Sequence, residues 1–201
     1  METALYVVGG TLAVIVAFRV ARYLTTPIFK WLGYYRYYTP MFFVQPMGVR
    51  LLEIHVGTTW DFFRKKNVNP RELLLDVARG MAGVAEDVRR GKIHPKTNFK
   101  GVVFYFGDST VRRLGFRKRR LNVVELLMFA FNYLELTVLY SVSHRRFAFP
   151  PVKDLCVVQF TAEDVVANAD RYRMFAAMAE RNRDAKKRAP IGEKKPETQA
   201  A

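Results

Sequence analysis

The chain has 201 residues, a formal net charge of +15 at pH 7, half its residues hydrophobic and a quarter charged. That composition is globular, and it excludes a low-complexity or wholly disordered polymer. A single cysteine, Cys156, excludes an internal disulfide framework and reads as a small buried strand residue.

Ala4–Phe18 is free of charge, and Arg19 and Arg22 follow at once. Fifteen residues of helix reach only about 22 Å, short of the roughly 30 Å hydrocarbon core. Arginine stems can carry their guanidinium groups to the headgroups, so Ala4–Leu24, about 31 Å of helix, is long enough to cross. We therefore assign residues 1–26 to a single transmembrane anchor, ended near Thr25 or Thr26 by Pro27. A buried core helix is the competing reading. A cleaved leader would carry its positive charge before the apolar run, where only Glu2 stands. Residues 27–43 complete an aromatic-rich stretch and read as an interfacial collar, with Arg19, Arg22, Trp31, Tyr34 and Tyr35 as membrane-interface residues. Arg19, Arg22, Lys30 and Arg36 all lie on the C-terminal flank, which places that flank in the cytoplasm and the N-terminus outside. Gly9, Ala13 and Ala17 form a small-residue stripe that would admit a second membrane helix.

Residues 44–188 read as one cytoplasmic α+β domain with a mixed or antiparallel sheet and flanking helices. Val49–Val56 alternates as a strand, and Gly57 breaks it before a short helix capped by Thr58 or Thr59. Asn69 caps a longer helix, with Pro70 first, Glu72 three residues after the cap, and an apolar stripe from Leu73 to Val88. Lys92–Lys100 reads as a loop, Gly101–Phe106 as a buried strand, and Thr110–Leu114 as a short helix ended by Gly115. Leu121–Ser143 holds only two charges, Glu125 and Glu135, and allows a second membrane crossing. Its alternation from Leu134 to Ser143 instead predicts a short helix capped by Asn122, followed by a strand. Phe147–Pro151 is a turn, Leu155–Phe160 a strand, and Thr161 starts a helix through Val165 and Met178. Residues 189–201 read as a disordered tail.

No nucleotide-loop or dinucleotide glycine pattern occurs, so no cofactor is implied. The three histidines lack metal-ligand spacing, so no metal is implied either. Ser141, Ser143 and His144 lack the glycine pattern of a nucleophile elbow. The weak catalytic candidates are His55, Thr58 and Asp61 at a strand-to-helix turn, with Asp108 in Gly107-Asp-Ser-Thr110 beside the basic run. Arg112, Arg113, Arg117, Lys118, Arg119 and Arg120 are the candidate anion- or lipid-binding residues. A tether beside a bilayer turns such clusters towards anionic headgroups, each worth about 1 kcal/mol near the surface. The expectation is a membrane-anchored binding or accessory module. The alternatives are a membrane-bound enzyme acting on an anionic acyl or phosphate ester and, third, a tethered nucleic-acid-binding protein.

Overall fold

The computed structural model describes residues 2–65, 70–104, 107–152 and 155–188. The first element, α1 (Glu2–Trp31), leads into β1 (Arg36–Thr39), β2 (Phe42–Gly48) and β3 (Leu51–His55). Helices α2 (Thr59–Arg64) and α3 (Pro70–Arg89) precede β4 (Asn98–Val103). Next come α4 (Asp108–Arg113), β5 (Arg117–Arg119), α5 (Val123–His144), β6 (Cys156–Thr161), α6 (Ala162–Ala167) and α7 (Ala169–Arg188). The fold is α+β. One six-stranded sheet has the order β1-β2-β3-β4-β6-β5, antiparallel throughout except for the parallel β3–β4 pair.

Strand alternation gives the sheet two chemistries. Val44, Ile54, Phe99, Val158 and Phe160 are buried in a core with Val77, Met81, Val84 and Val88 of α3 and Tyr172 of α7. The hydroxyl of Tyr172 donates to the Leu114 carbonyl at 2.9 Å. The core helix comes unusually close. A Cβ on Gly80 would lie 2.1 Å from a Phe42 ring carbon, and one on Gly83 would lie 2.7 Å from Tyr38. On the other face one register line crosses five strands: Gln45, Glu53, Lys100, Gln159 and Arg117.

Several expectations need correction. Proline does not end the first helix, which continues through Pro27 to Trp31. Pro27 cannot donate to the carbonyl four residues back, that of Tyr23. The indole N–H of Trp60 donates to that oxygen at 2.9 Å, and its ring stacks on Tyr23 at 4.3 Å. A tertiary donor thus fills the gap in the ladder.

Leu134–Ser143 is not a strand but the second half of α5. The alternation misleads because the polar residues find helical partners. Thr137 bonds the Tyr133 carbonyl one turn back at 2.9 Å, and Glu135 meets α1. Asn122 and Glu125 do form the expected reciprocal cap, and they open one long helix.

The predicted strand Gly101–Phe106 shifts to Asn98–Val103, with Val102 exposed; Tyr105 and Phe106 lie outside the described residues. The basic run holds a short edge strand, β5, where charged side chains discourage pairing with another sheet. The last collar residues form β1 and the start of β2, where Tyr35 and Tyr37 lie against Phe43. The last helix is divided at Asn168, whose amide donates to the Asp164 carbonyl at 2.8 Å. The cap Asn69 and the tail 189–201 fall outside the described residues.

Candidate functional site

Among the described residues two helices are long and apolar enough to cross a membrane, over Gly9–Trp31 and Val123–Val142. Along α1, the side chains of Val14, Val16, Phe18 and Val20 are exposed. Gly9, Ala13 and Ala17 are exposed, so the small-residue stripe is left open among the described residues. On α5 the exposed apolar residues include Val123, Leu127, Phe131, Leu134 and Val138, which recur at helical spacing on one face, with Val124, Leu126 and Met128 flanking it. Leu134 is 79% exposed and Val123 74%. In water such a face is costly, at roughly 25 cal/mol per Å² of apolar surface.

Polar contacts tie these helices together. Arg19 of α1 donates to Glu135 of α5 at 2.6 Å and to the Phe131 carbonyl. Arg22 donates to Asn132 at 3.2 Å, and the Thr59 hydroxyl donates to the other oxygen of Glu135. An arginine that the sequence assigns to the membrane interface is therefore also the clasp between the two apolar helices. Both ends of α5 are fastened to the same domain. Near its start Glu125 accepts two hydrogen bonds from Arg119 of β5, at 2.7 and 2.6 Å. Fourteen residues on, about 21 Å along the axis, Leu139 is buried with Met41, Phe62 and Leu73. Phe104 bridges the interval, 6.3 Å from Phe129 and 6.0 Å from Tyr140.

A second polar knot holds the base of α1. Asp61, only 8% exposed, accepts from Lys30 at 3.1 Å, from Tyr37 at 2.5 Å and from the Thr58 hydroxyl at 2.7 Å. The Thr58 backbone N–H adds a bond at 2.9 Å, which completes a capping box on α2. Burial pushes the Asp61 carboxyl up, but the bonds from Tyr37, Thr58 and Lys30 outweigh it and hold it below the ordinary range. Burial together with the bonded Asp61 raises the Tyr37 phenol. This carboxylate is fully occupied as an acceptor, which suits a fastening and leaves a general base little freedom.

The four catalytic candidates do not form one cluster through direct bonds. Thr58 and Asp61 bond each other. His55 instead pairs with Glu53 at 3.2 Å and stacks on Phe43 at 5.1 Å. Asp108 is exposed and pairs with Lys118 at 2.6 Å. Burial raises the Glu53 carboxyl, while His55, Lys100 and Gln45 lower it to a net position below its usual value. None of the four candidates lines the open groove of ≈ 580 Å³ between the end of α1, the β2–β3 turn and the loop after α3. Among the described residues no group of three potential ligands stands ready for a metal.

The basic run is partly neutralised. Arg117 pairs with Asp164 at 3.2 Å, Lys118 with Asp108, and Arg119 with Glu125. Arg112, Arg113 and Arg120 are exposed. Lys30, Tyr37, Thr59, Trp60 and Glu135 were not singled out from sequence as site residues. Glu135 carried a signal as one of two acids in an apolar stretch, and Thr59 as a hydroxyl in the strand-to-helix turn; their bonds to each other and to α1 depend on contacts across tens of residues.

Comparison with known protein families, characterised proteins and solved structures finds no match to this chain.

Proposed function

We propose that this protein is a membrane-anchored accessory module: α1 crosses the bilayer once and holds a cytoplasmic α+β domain against an anionic leaflet. The observation that carries this reading is the run of exposed apolar side chains Tyr6, Val7, Val14, Val16 and Phe18 on α1, a continuous helix whose bonds to the domain are made by Arg19 and residues beyond it. A solvated helix of that composition would be a liability; in hydrocarbon it is at home, with its backbone bonded internally. Arg19 and Arg22 then sit at headgroup depth, and the positive flank favours the cytoplasmic side. The exposed Arg112, Arg113 and Arg120 add electrostatic attraction to anionic lipid, weakened by salt. The ion pairs of Arg117, Lys118 and Arg119 leave these three with a smaller share. The domain would recruit or position a partner at the membrane. His55 and Asp108 bond to Glu53 and Lys118 and not to Thr58 and Asp61, which lends the enzyme reading no support.

Alkaline carbonate extraction of the full chain from vesicles tests the anchor. Retention in the membrane pellet is expected, and full release would overturn it. Protease protection reads the orientation: the domain should be digested from the cytoplasmic side, with only the extreme N-terminus protected.

A further inference from the structure

We infer that α5 is a second membrane element, an in-plane helix whose Val123–Leu127–Phe131–Leu134–Val138 face lies in the lipid interface without crossing it. The inference deepens the proposed anchoring and rests on it for the side of the bilayer concerned. The occupant of that face is the acyl-chain boundary of the leaflet, for three reasons.

The first is attachment. Glu125 is bound to Arg119 of the sheet, while Leu139 is buried with Met41, Phe62 and Leu73 of the same domain. A helix that spans a bilayer must deliver its ends to opposite sides, about 30 Å of hydrocarbon apart. Here contacts near both ends are held by one folded body, so the helix lies along that body with its free face outward.

The second is continuity. Arg19 and Arg22 of α1 meet α5 near its middle, at Phe131, Asn132 and Glu135. If α1 crosses the bilayer with these arginines at headgroup depth, α5 is brought to the same depth. The exposed apolar surface of α1 and that of α5 then belong to one surface facing one medium.

The third is the distribution of charge. Arg120 lies before the helix, and Arg145 and Arg146 follow it, all three exposed. None of the exposed residues from Val123 to Val142 carries a charge, and Glu135 turns to Arg19. An apolar strip with cations at its ends and middle matches an interfacial helix on an anionic leaflet. A second copy of the chain would have to bring acidic groups to those arginines, yet the chain is basic by fifteen charges.

The test is depth-resolved fluorescence of the full-length protein in phosphatidylcholine–phosphatidylglycerol vesicles. An environment-sensitive dye is placed at Leu127→Cys, Leu134→Cys or Val138→Cys, with Val14→Cys on α1 and Arg90→Cys, just past the C-terminal end of α3, as references. Cys156 is buried and is shielded from the reagent in the folded protein. Brominated lipids should quench all three α5 positions at one shallow depth, about 5–10 Å below the headgroup boundary. Arg90→Cys should remain unquenched. A profile that deepens steadily along α5 towards the opposite leaflet would make it a span and overturn the inference. So would an α5 signal untouched by brominated lipid, whether water-exposed or self-quenched between two copies. Val14→Cys reports the anchor separately. If it is deep while α5 is dry, only this inference fails; if α5 is shallow while Val14→Cys is dry, only the anchor fails.

Discussion

Helices α3 and α5 are nearly equal in length, 20 and 22 residues, yet they turn opposite chemistries outward. In α3, Val77, Met81, Val84 and Val88 face the sheet, while Arg71 and Arg89 face out. In α5, Val123, Leu127, Phe131, Leu134 and Val138 face out, while Glu125 and Glu135 turn towards protein partners. One half of the molecule is assembled as for water, with apolar contacts within. The layer formed by α1 and α5 has its polar ties inside and its apolar surface outside. The difference teaches that two helices of nearly one length are told apart by which chemistry they turn outward.

The largest expected effect breaks the comparison at α3. Val84→Asp places an unpaired charge in the core and should cost about 3–5 kcal/mol, read as a shift in urea midpoint. Leu134→Asp on α5 should change the same midpoint by less than about 0.5 kcal/mol in detergent, because that side chain points away from the protein. Equal losses in the two variants would mean that the outer face of α5 packs on protein.

Next in size is the polar knot beneath α1. Asp61→Asn removes the charge from four charge-assisted bonds, and about 2–3 kcal/mol of stability at pH 7 should go with it. The sign of the pH dependence follows from the depressed carboxyls of Asp61 and Glu53. Their stabilisation is fully present above the unfolded values, about 3.9 and 4.3, and is lost as pH falls through the lower folded values. Denaturation between pH 7 and 3 should therefore show an acid-side loss that Asp61→Asn makes shallower. An unchanged slope would remove Asp61 from the account.

Gly80→Ala sets two effects against each other. Helix propensity favours alanine by about 1 kcal/mol, but the new Cβ would strike the Phe42 ring. Overpacking should win by about 1–2 kcal/mol, lowering the midpoint. A stabilised variant would show that the ring can yield and that the close approach of α3 is incidental.

The smallest effect sharpens the account of α1. Trp60→Phe leaves the Tyr23 carbonyl without its donor and should cost about 1 kcal/mol. In a Pro27→Ala background the backbone N–H returns, so the loss of that indole bond should largely vanish. Additive losses across this double-mutant cycle would show that Trp60 acts only by stacking.

Much of this architecture was legible along the chain, and the missed parts share a cause. The reciprocal caps at Thr58–Asp61, Asn122–Glu125 and Thr161–Asp164 are local, built from residues three apart, and two of them were read correctly at their full extent. The strand β2 was missed because Pro46 interrupts it and its neighbours are aromatic, so periodicity gave way to the reading of a collar. Of the candidate catalytic set, Thr58 and Asp61 do meet, but His55 and Asp108 turn to Glu53 and Lys118. Nothing in the spacing announces those partners.

Sequence alone determined the class of the fold, the long apolar N-terminal helix, the apolar stripe of α3 and the basic balance. These follow from composition and from contacts within a few residues, where backbone geometry dictates which side chains share a face. Tertiary structure alone decided that Pro27 sits inside a helix, that Leu134–Ser143 is helical, and that Arg19 closes on Glu135. Each depends on a partner distant in the chain: Trp60 for the carbonyl of Tyr23, the Met41, Phe62 and Leu73 cluster for α5, and α1 for the lone acid of an apolar run. Local pattern leaves such choices nearly balanced, and one well-placed long-range bond or buried contact is enough to tip them.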